Sequence, residues 1–79
     1  MLLKIYSLKK VLYEGGARSI NVQSEAGELT ILDTHQPLVA VLKSGPIKVL
    51  NDGGREEVIS AASGFLEVRP GSEVRILAD

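Results

Sequence analysis

The sequence predicts an all-β domain, an antiparallel β-sandwich or flattened barrel of about nine to ten short strands. Three observations predict it. Short runs of Val, Ile and Leu recur about every 8–10 residues, several with strict apolar/polar alternation. Turn-forming clusters rich in glycine separate the runs. Nowhere do apolar residues recur at i, i+3, i+4, i+7 over a helical length.

The strands follow in order. Residues 2–8 form the first, with Leu3 and Ile5 on one face and Tyr6 and Leu8 on the other. Residues 11–13 form a second short piece, closed by Glu14-Gly15-Gly16, where glycine permits positive φ. Residues 18–23 alternate cleanly: Ile20 and Val22 face one way, Ser19, Asn21 and Gln23 the other. Glu25-Ala26-Gly27 turns the chain into residues 28–32. Asp33-Thr34-His35-Gln36-Pro37 then makes a polar corner before the apolar run 38–42.

Lys43-Ser44-Gly45-Pro46 is a further turn, leading to a strand over residues 47–50. A two-residue Asp52-Gly53 loop in type I′ geometry would pair Asn51 with Gly54, Lys48 with Glu57 and Ile47 with Val58. The last hairpin is better specified. A three-residue loop, Pro70-Gly71-Ser72, pairs Arg69 with Glu73, Val68 with Val74, Glu67 with Arg75 and Leu66 with Ile76. Both charged pairs then have opposite signs and the apolar pairs share one face, each match contributing about 0.2–1 kcal/mol. A two-residue Gly71-Ser72 loop would lose these pairs and turn the wrong face inward.

Length and composition bound the function. Seventy-nine residues allow one domain, spanning 1–79. At 44% hydrophobic the chain is too apolar for disorder, and with three aromatic residues (Tyr6, Tyr13, Phe65) its core must be aliphatic. There is no cysteine, hence no disulfide or thiolate metal site. Such a small core gains from docking onto a larger partner, which stabilises the folded state by mass action. Nine basic and ten acidic residues are scattered without a basic stripe, which argues against nucleic acid. No apolar run approaches the roughly 18 residues of a membrane-spanning helix, so no direct membrane insertion is expected.

Catalytic patterns are missing as well. A triad would need His35, the single histidine, with Asp33 and a serine, yet no serine has a nucleophile-elbow setting. Asp33 and His35 make at most half of a metal site. No glycine-rich stretch opens a helix that could face a phosphate, and no G-x-x-x-x-G-K-S/T occurs. Glu28 lacks a second carboxylate in a fixed relation to it. No catalytic residue, cofactor or metal is expected.

Several stretches taken together resemble a known family. Gly27-Glu28-Leu29-x-Ile31-Leu32-x-x-His35-x-Pro37-Leu38, followed by Leu42-Lys43-x-Gly45, is similar to the signature of the epsilon subunit of rotary ATP synthases (delta in mitochondria). Ser63-Gly64-Phe65-Leu66-Glu67-Val68 resembles the family's G-G-F-x-E-V, and Val74-x-Ile76-Leu77-Ala78-Asp79 its V-x-V-L-A-D. Leu12-Tyr13-Glu14-Gly15 and Ile20-Asn21-Val22 fit its first strands.

The resemblance implies a β-sandwich with a mechanical role. Such a domain sits at the foot of the central stalk and links the gamma subunit to the membrane rotor ring, coupling ion flow to ATP synthesis or hydrolysis without chemistry of its own. It implies ring contact through Glu28, Leu29 and Asp33, and gamma contact through Thr34, His35, Gln36 and Leu38. It implies a peripheral location on the cytoplasmic face of the inner (plasma) membrane. The runner-up is a free-standing sandwich that binds another protein or a small ligand through the same rim.

Two departures from the family pattern stand out. Thr30 occupies a usual glycine position, and Asp33-Thr34 replace the proline-glycine of L-P-G-H, so the corner lacks its rigid turn formers. Relatives also usually continue past L-A-D into a helical hairpin that senses ATP and can brake rotation. The sequence stops at Asp79, so neither that nucleotide site nor that arm is expected in it.

Overall fold

The structure, a computed structural model, describes residues 1–33 and 36–78. The described residues form eight strands: β1 (Leu2–Tyr6), β2 (Val11–Ser24), β3 (Gly27–Leu32), β4 (Leu38–Leu42), β5 (Gly45–Asn51), β6 (Glu56–Ala61), β7 (Gly64–Arg69) and β8 (Glu73–Ala78). The all-β sandwich expected from the sequence is borne out.

The 14-residue β2 organises the topology. Its first half pairs antiparallel with β1, Ile5 lying opposite Tyr13 and Leu3 opposite Gly15. Its second half pairs with β3 on one side and β5 on the other: Ile20 lies opposite both Ile31 and Val49. One layer is therefore β3-β2-β5-β6. The other runs β1-β8-β7-β4 and returns to β2 through Ser24 opposite Leu42. All neighbouring pairs are antiparallel except β1 with β8.

The core lies between the layers and is aliphatic. Leu3, Ile5, Leu66, Val74 and Ile76 from one layer meet Ile20, Val22, Ile31, Ile47 and Val49 from the other, all buried. Each alternates along its strand with an outward residue, as the period of two requires. Burying a side chain of this kind contributes about 1.5–3 kcal/mol.

Four expectations need correction. The two pieces at 11–13 and 18–23 are one strand, because Gly15 and Gly16 lie inside the ladder and do not turn it. β2 instead passes from β1 to β5 at Ala17/Ser19, where the register shifts; a second shift, opposite Ile5/Tyr6, lies at its start. A Cβ at Gly16 would meet only the carboxylate of Asp52, the far end of an exposed side chain that can swing aside. The merger also brings the strand count to eight, below the expected nine to ten.

β1 ends at Tyr6, two residues early, because Ser7 closes a tight turn. Its amide donates to the Lys10 carbonyl at 2.8 Å, and its Oγ accepts from the amides of Lys9 and Lys10 at 3.2 Å each. Leu8 therefore stands in solvent, 85% exposed.

Gly45 and Pro46 open β5 rather than closing a turn. The β5–β6 register is one residue from expectation, with Ile47 opposite Ile59 and Lys48 opposite Val58. The Asn51 side chain decides it: Oδ1 accepts from the amides of Gly53 and Arg55 at 2.9 and 3.0 Å. The loop is thus Asp52-Gly53-Gly54, and Gly54 rather than Gly53 takes the left-handed conformation at φ 84°. The β7–β8 register is borne out in all four expected pairs, with Gly71 and Ser72 left-handed at φ 85° and 57°.

Candidate functional site

β3 is an edge strand: among the described residues it pairs with β2 alone. Ile31 is buried and Leu29 packs against the core, whereas Glu28, Thr30 and Leu32 point outward. The Asn21 amide donates to Thr30 Oγ1 at 2.9 Å, fixing the middle of this face. Glu28 and Asp33 stand at opposite ends of β3, about 17 Å apart at the rise of an extended strand. They lie along one edge and do not form a cluster.

The Asp33 end is tied down by three other segments. Asp33 Oδ1 lies 2.7 Å from the α-ammonium of Met1. That ammonium also donates to the Ala17 carbonyl at 3.0 Å. Ser72, in the β7–β8 loop, donates its hydroxyl to the Asp33 carbonyl at 2.9 Å, and its own carbonyl accepts from the Leu2 amide at 2.8 Å. The hydrogen bond from the Met1 ammonium, followed by its charge, holds the Asp33 carboxyl below the usual aspartate range, with a smaller contribution from Ser72.

Beyond Asp33 the expected gamma-contact residues divide. Thr34 and His35 lie outside the described residues. Gln36 and Pro37 are exposed, while Leu38 opens β4 opposite Val68 and is half-buried against the core. Among the described residues no three His, Cys, Asp or Glu side chains converge to hold a metal ion. Among the described residues no helix is long and apolar enough to cross a membrane.

Two features were missed by the sequence reading. One is the Met1 amine, which carries no side-chain signal. The other is an apolar row on the outer face of the β4-β7-β8-β1 layer. There Val41, Phe65, Leu77 and Tyr6 stand side by side on neighbouring strands. Val41, Phe65 and Leu77 are 43%, 56% and 36% exposed. The signal was available, because Phe65 and Val41 occupy outward positions of alternating strands. With Leu8 and Gly64, Val41, Phe65 and Leu77 line a shallow hollow at the ends of β7 and β8 away from the loop that holds Ser72.

The sandwich and its edge can now be compared with known proteins. The family described as "ATP synthase, Delta/Epsilon chain, beta-sandwich domain" matches residues 1–79. The chain is 43% identical over 75 residues to the ATP synthase epsilon chain of Chromohalobacter salexigens, covering 95% of this chain and 52% of that one. It is 40% identical over 75 residues to the epsilon chain of Bordetella petrii, with the same coverage. It therefore spans about half the length of the curated relatives it matches.

Among solved structures, a chain of the Euglena gracilis mitochondrial ATP synthase superimposes with a TM-score of 0.87 at 22% identity, covering 99% of this chain and 49% of that one. A chain of the Tetrahymena thermophila mitochondrial ATP synthase central stalk and c-ring does so with 0.83 at 17% identity, covering 99% and 62%. The structural likeness establishes the fold, and the sequence match establishes the kinship: the chain belongs to the ATP synthase delta/epsilon family, as its β-sandwich domain.

Proposed function

We propose that this chain serves as a non-catalytic part of the central stalk of a rotary ATP synthase, joining the gamma subunit to the membrane rotor ring. The observation that carries the reading is the family match along the whole sandwich, residues 1–79. A part that transmits torque must resist deformation, and the fold suits this. Its layers are joined at both ends of β2, and the core is close-packed aliphatic.

The β3 edge supplies the contact surface of the proposal. Glu28 and Asp33 meet polar loops of the ring, with Leu29 supporting the strand from beneath. Gln36 and Leu38, with Thr34 and His35 in the same stretch of sequence, meet the gamma subunit. An exposed edge strand bearing a carboxylate is suited to specific polar contact, because the charge discourages indiscriminate strand pairing. The domain works as a peripheral member of the complex on the cytoplasmic face of the membrane, and the phosphoryl chemistry belongs to other chains.

Co-purification with the gamma subunit and with isolated ring from the same source tests this, with Glu28→Lys beside the unaltered chain. The expected result is a stoichiometric complex with gamma. Glu28→Lys is expected to weaken ring binding about tenfold, equivalent to about 1.4 kcal/mol, and to leave gamma binding intact. A folded chain that binds neither partner would overturn the reading.

A further inference from the structure

We infer that Asp52-Gly53 is a site of spontaneous covalent rearrangement, at which the chain passes to an isoaspartyl linkage, and that the Asn51 side chain is its brake. The inference is independent of the function proposed above, because the chemistry needs only water.

The sequence supplies the reacting pair. Asp52-Gly53 is the one place in it where an aspartate or asparagine precedes glycine. Such a pair is reactive because glycine has no Cβ to screen its nitrogen from the carboxyl group of the residue before it. Both residues are exposed, at the tip of the β5–β6 hairpin. The fold does not require glycine at 53: Gly54, and not Gly53, takes the left-handed conformation of the loop, at φ 84°. A Cβ at Gly53 would meet only Asn51 Oδ1, at 3.3 Å, a contact that a small shift relieves.

The step balances without a further reagent. The Gly53 nitrogen attacks Cγ of Asp52 in its protonated, carboxylic form. The new N–C bond closes a cyclic succinimide, and the carboxyl hydroxyl leaves as water with the proton of that nitrogen. Water then adds to one of the two ring carbonyl carbons and breaks its bond to nitrogen. Opening at Cγ restores aspartate. Opening at the former main-chain carbonyl leaves the chain running through Cγ, with one more methylene in it, and the net change is an isomerisation.

The structure shows what opposes this step. The Gly53 N–H donates to Asn51 Oδ1 at 2.9 Å, and the nitrogen must give up this proton to react. The Asn51 side chain is itself fixed: Oδ1 also accepts from the Arg55 amide at 3.0 Å, and Nδ2 donates to Glu57 at 3.2 Å. On the other side Arg18 donates to the Asp52 carbonyl at 2.8 Å, tying the main chain of the loop to β2. The Asp52 carboxylate lies beside Gly16, and none of these bonds holds it. The restraint therefore falls on the nitrogen. The isoaspartyl product lengthens the main chain between Asn51 and the two amides it holds, so the bonds that set the β5–β6 register no longer fit.

The test incubates the 79-residue chain, Asn51→Ala and Gly53→Ala in neutral water enriched in heavy oxygen, with the unaltered chain in urea as the unbraked reference. Circular dichroism checks that each variant is folded. Mass spectrometry of the peptides reads heavy oxygen gained at each aspartate, since opening of the ring leaves one oxygen of water there, and fragmentation identifies the isoaspartyl form. The unaltered chain is expected to gain heavy oxygen at Asp52 sooner than at Asp33. Asn51→Ala is expected to gain it about three- to tenfold faster, the scale of one lost hydrogen bond. Gly53→Ala is expected to lose most of the uptake.

A folded Asn51→Ala that reacts no faster than the unaltered chain overturns the inference. Undiminished uptake in Gly53→Ala, or uptake at Asp33 ahead of Asp52, overturns it equally. If Asn51→Ala does not fold, the comparison passes to the unaltered chain with and without urea: slower uptake in the folded chain supports the brake, and equal rates overturn it.

Discussion

The two ends of the sandwich are built on different physics. At the Asp33 end, bonds of 2.7–3.0 Å join Met1, Ala17, Asp33 and Ser72, so the surface is shaped by directional polar contacts. At the other end, Leu8, Val41, Phe65 and Leu77 stand in solvent over the buried Leu66 and Leu42, and the surface is shaped by what packs beneath it. Polar clamps define where atoms sit at little gain in stability, because each bond replaces one to water. Aliphatic burial gives stability without direction. Substitutions at the two ends should therefore differ in kind as well as in size.

The largest effect is expected beneath the apolar row. Leu66 is fully buried, while its neighbour Phe65 is 56% exposed. Leu66→Ala should lower stability by about 2–5 kcal/mol through lost transfer energy and the cavity left behind. Phe65→Ser should stay within about 0.5 kcal/mol, as an exposed position does. Urea unfolding of both variants makes the comparison, and similar losses would mean that Phe65 belongs to the core.

Gly64 comes next, at the same end. A Cβ there would collide with the Leu77 carbonyl oxygen and stand 2.9 Å from the Ala78 Cα. Both are backbone atoms, so relief requires β7 and β8 to move apart. Gly64→Ala should cost about 1–3 kcal/mol, the range of overpacking, and an unchanged midpoint would show that the strands yield freely.

At the Asp33 end Ser72 separates two opposed contributions. Ser72→Ala removes the hydroxyl bond to the Asp33 carbonyl but keeps an unfavourable φ of 57°, and should lose about 0.5–1.5 kcal/mol. Ser72→Gly removes the same bond and relieves the backbone, worth about 1 kcal/mol in the other direction, and should be near neutral. Equal losses from both would place all of the effect in the hydrogen bond.

The same contrast explains what the sequence disclosed. The β7–β8 register was legible because four cross-strand pairs, two charged and two apolar, all favoured one alignment. The β5–β6 register was not, because Asp52-Gly53 invites a two-residue loop while the Asn51 side chain secures a three-residue one. That bond is a matter of side-chain geometry, and two consecutive glycines leave the composition compatible with either loop. The inward face of residues 18–23 in β2 followed from alternation alone, whereas the length of β2 did not, since a glycine pair can bend a strand as well as end it.

For the site, turn-forming residues marked the corner and the resemblance marked the contact residues around it, whereas the edge position of β3 came from the pairing. The departures from L-P-G-H at Asp33-Thr34 pointed to a corner without rigid turn formers. What supports Asp33 instead comes from residue 1 and residue 72, and contacts across such sequence separations leave no local pattern to find.

The smallest effect is the acid titration of Asp33, and its sign is fixed by the clamp. The Met1 ammonium lowers the carboxyl's folded-state pKa below its unfolded value, so the folded state binds this proton less readily than the unfolded chain does. The resulting stability is complete above the ordinary aspartate pKa of about 3.9 and is lost as pH falls through the lowered folded value. Asp33→Asn has no such proton to bind. The melting temperatures of the two chains should therefore differ at neutral pH, the unaltered chain melting higher, and converge in acid. The carboxylate is largely exposed, so salt should shrink the difference at neutral pH. A gap that persists below the titration would assign the stabilisation to neutral hydrogen bonding at Asp33, and the ammonium's charge would then have no part in holding the corner.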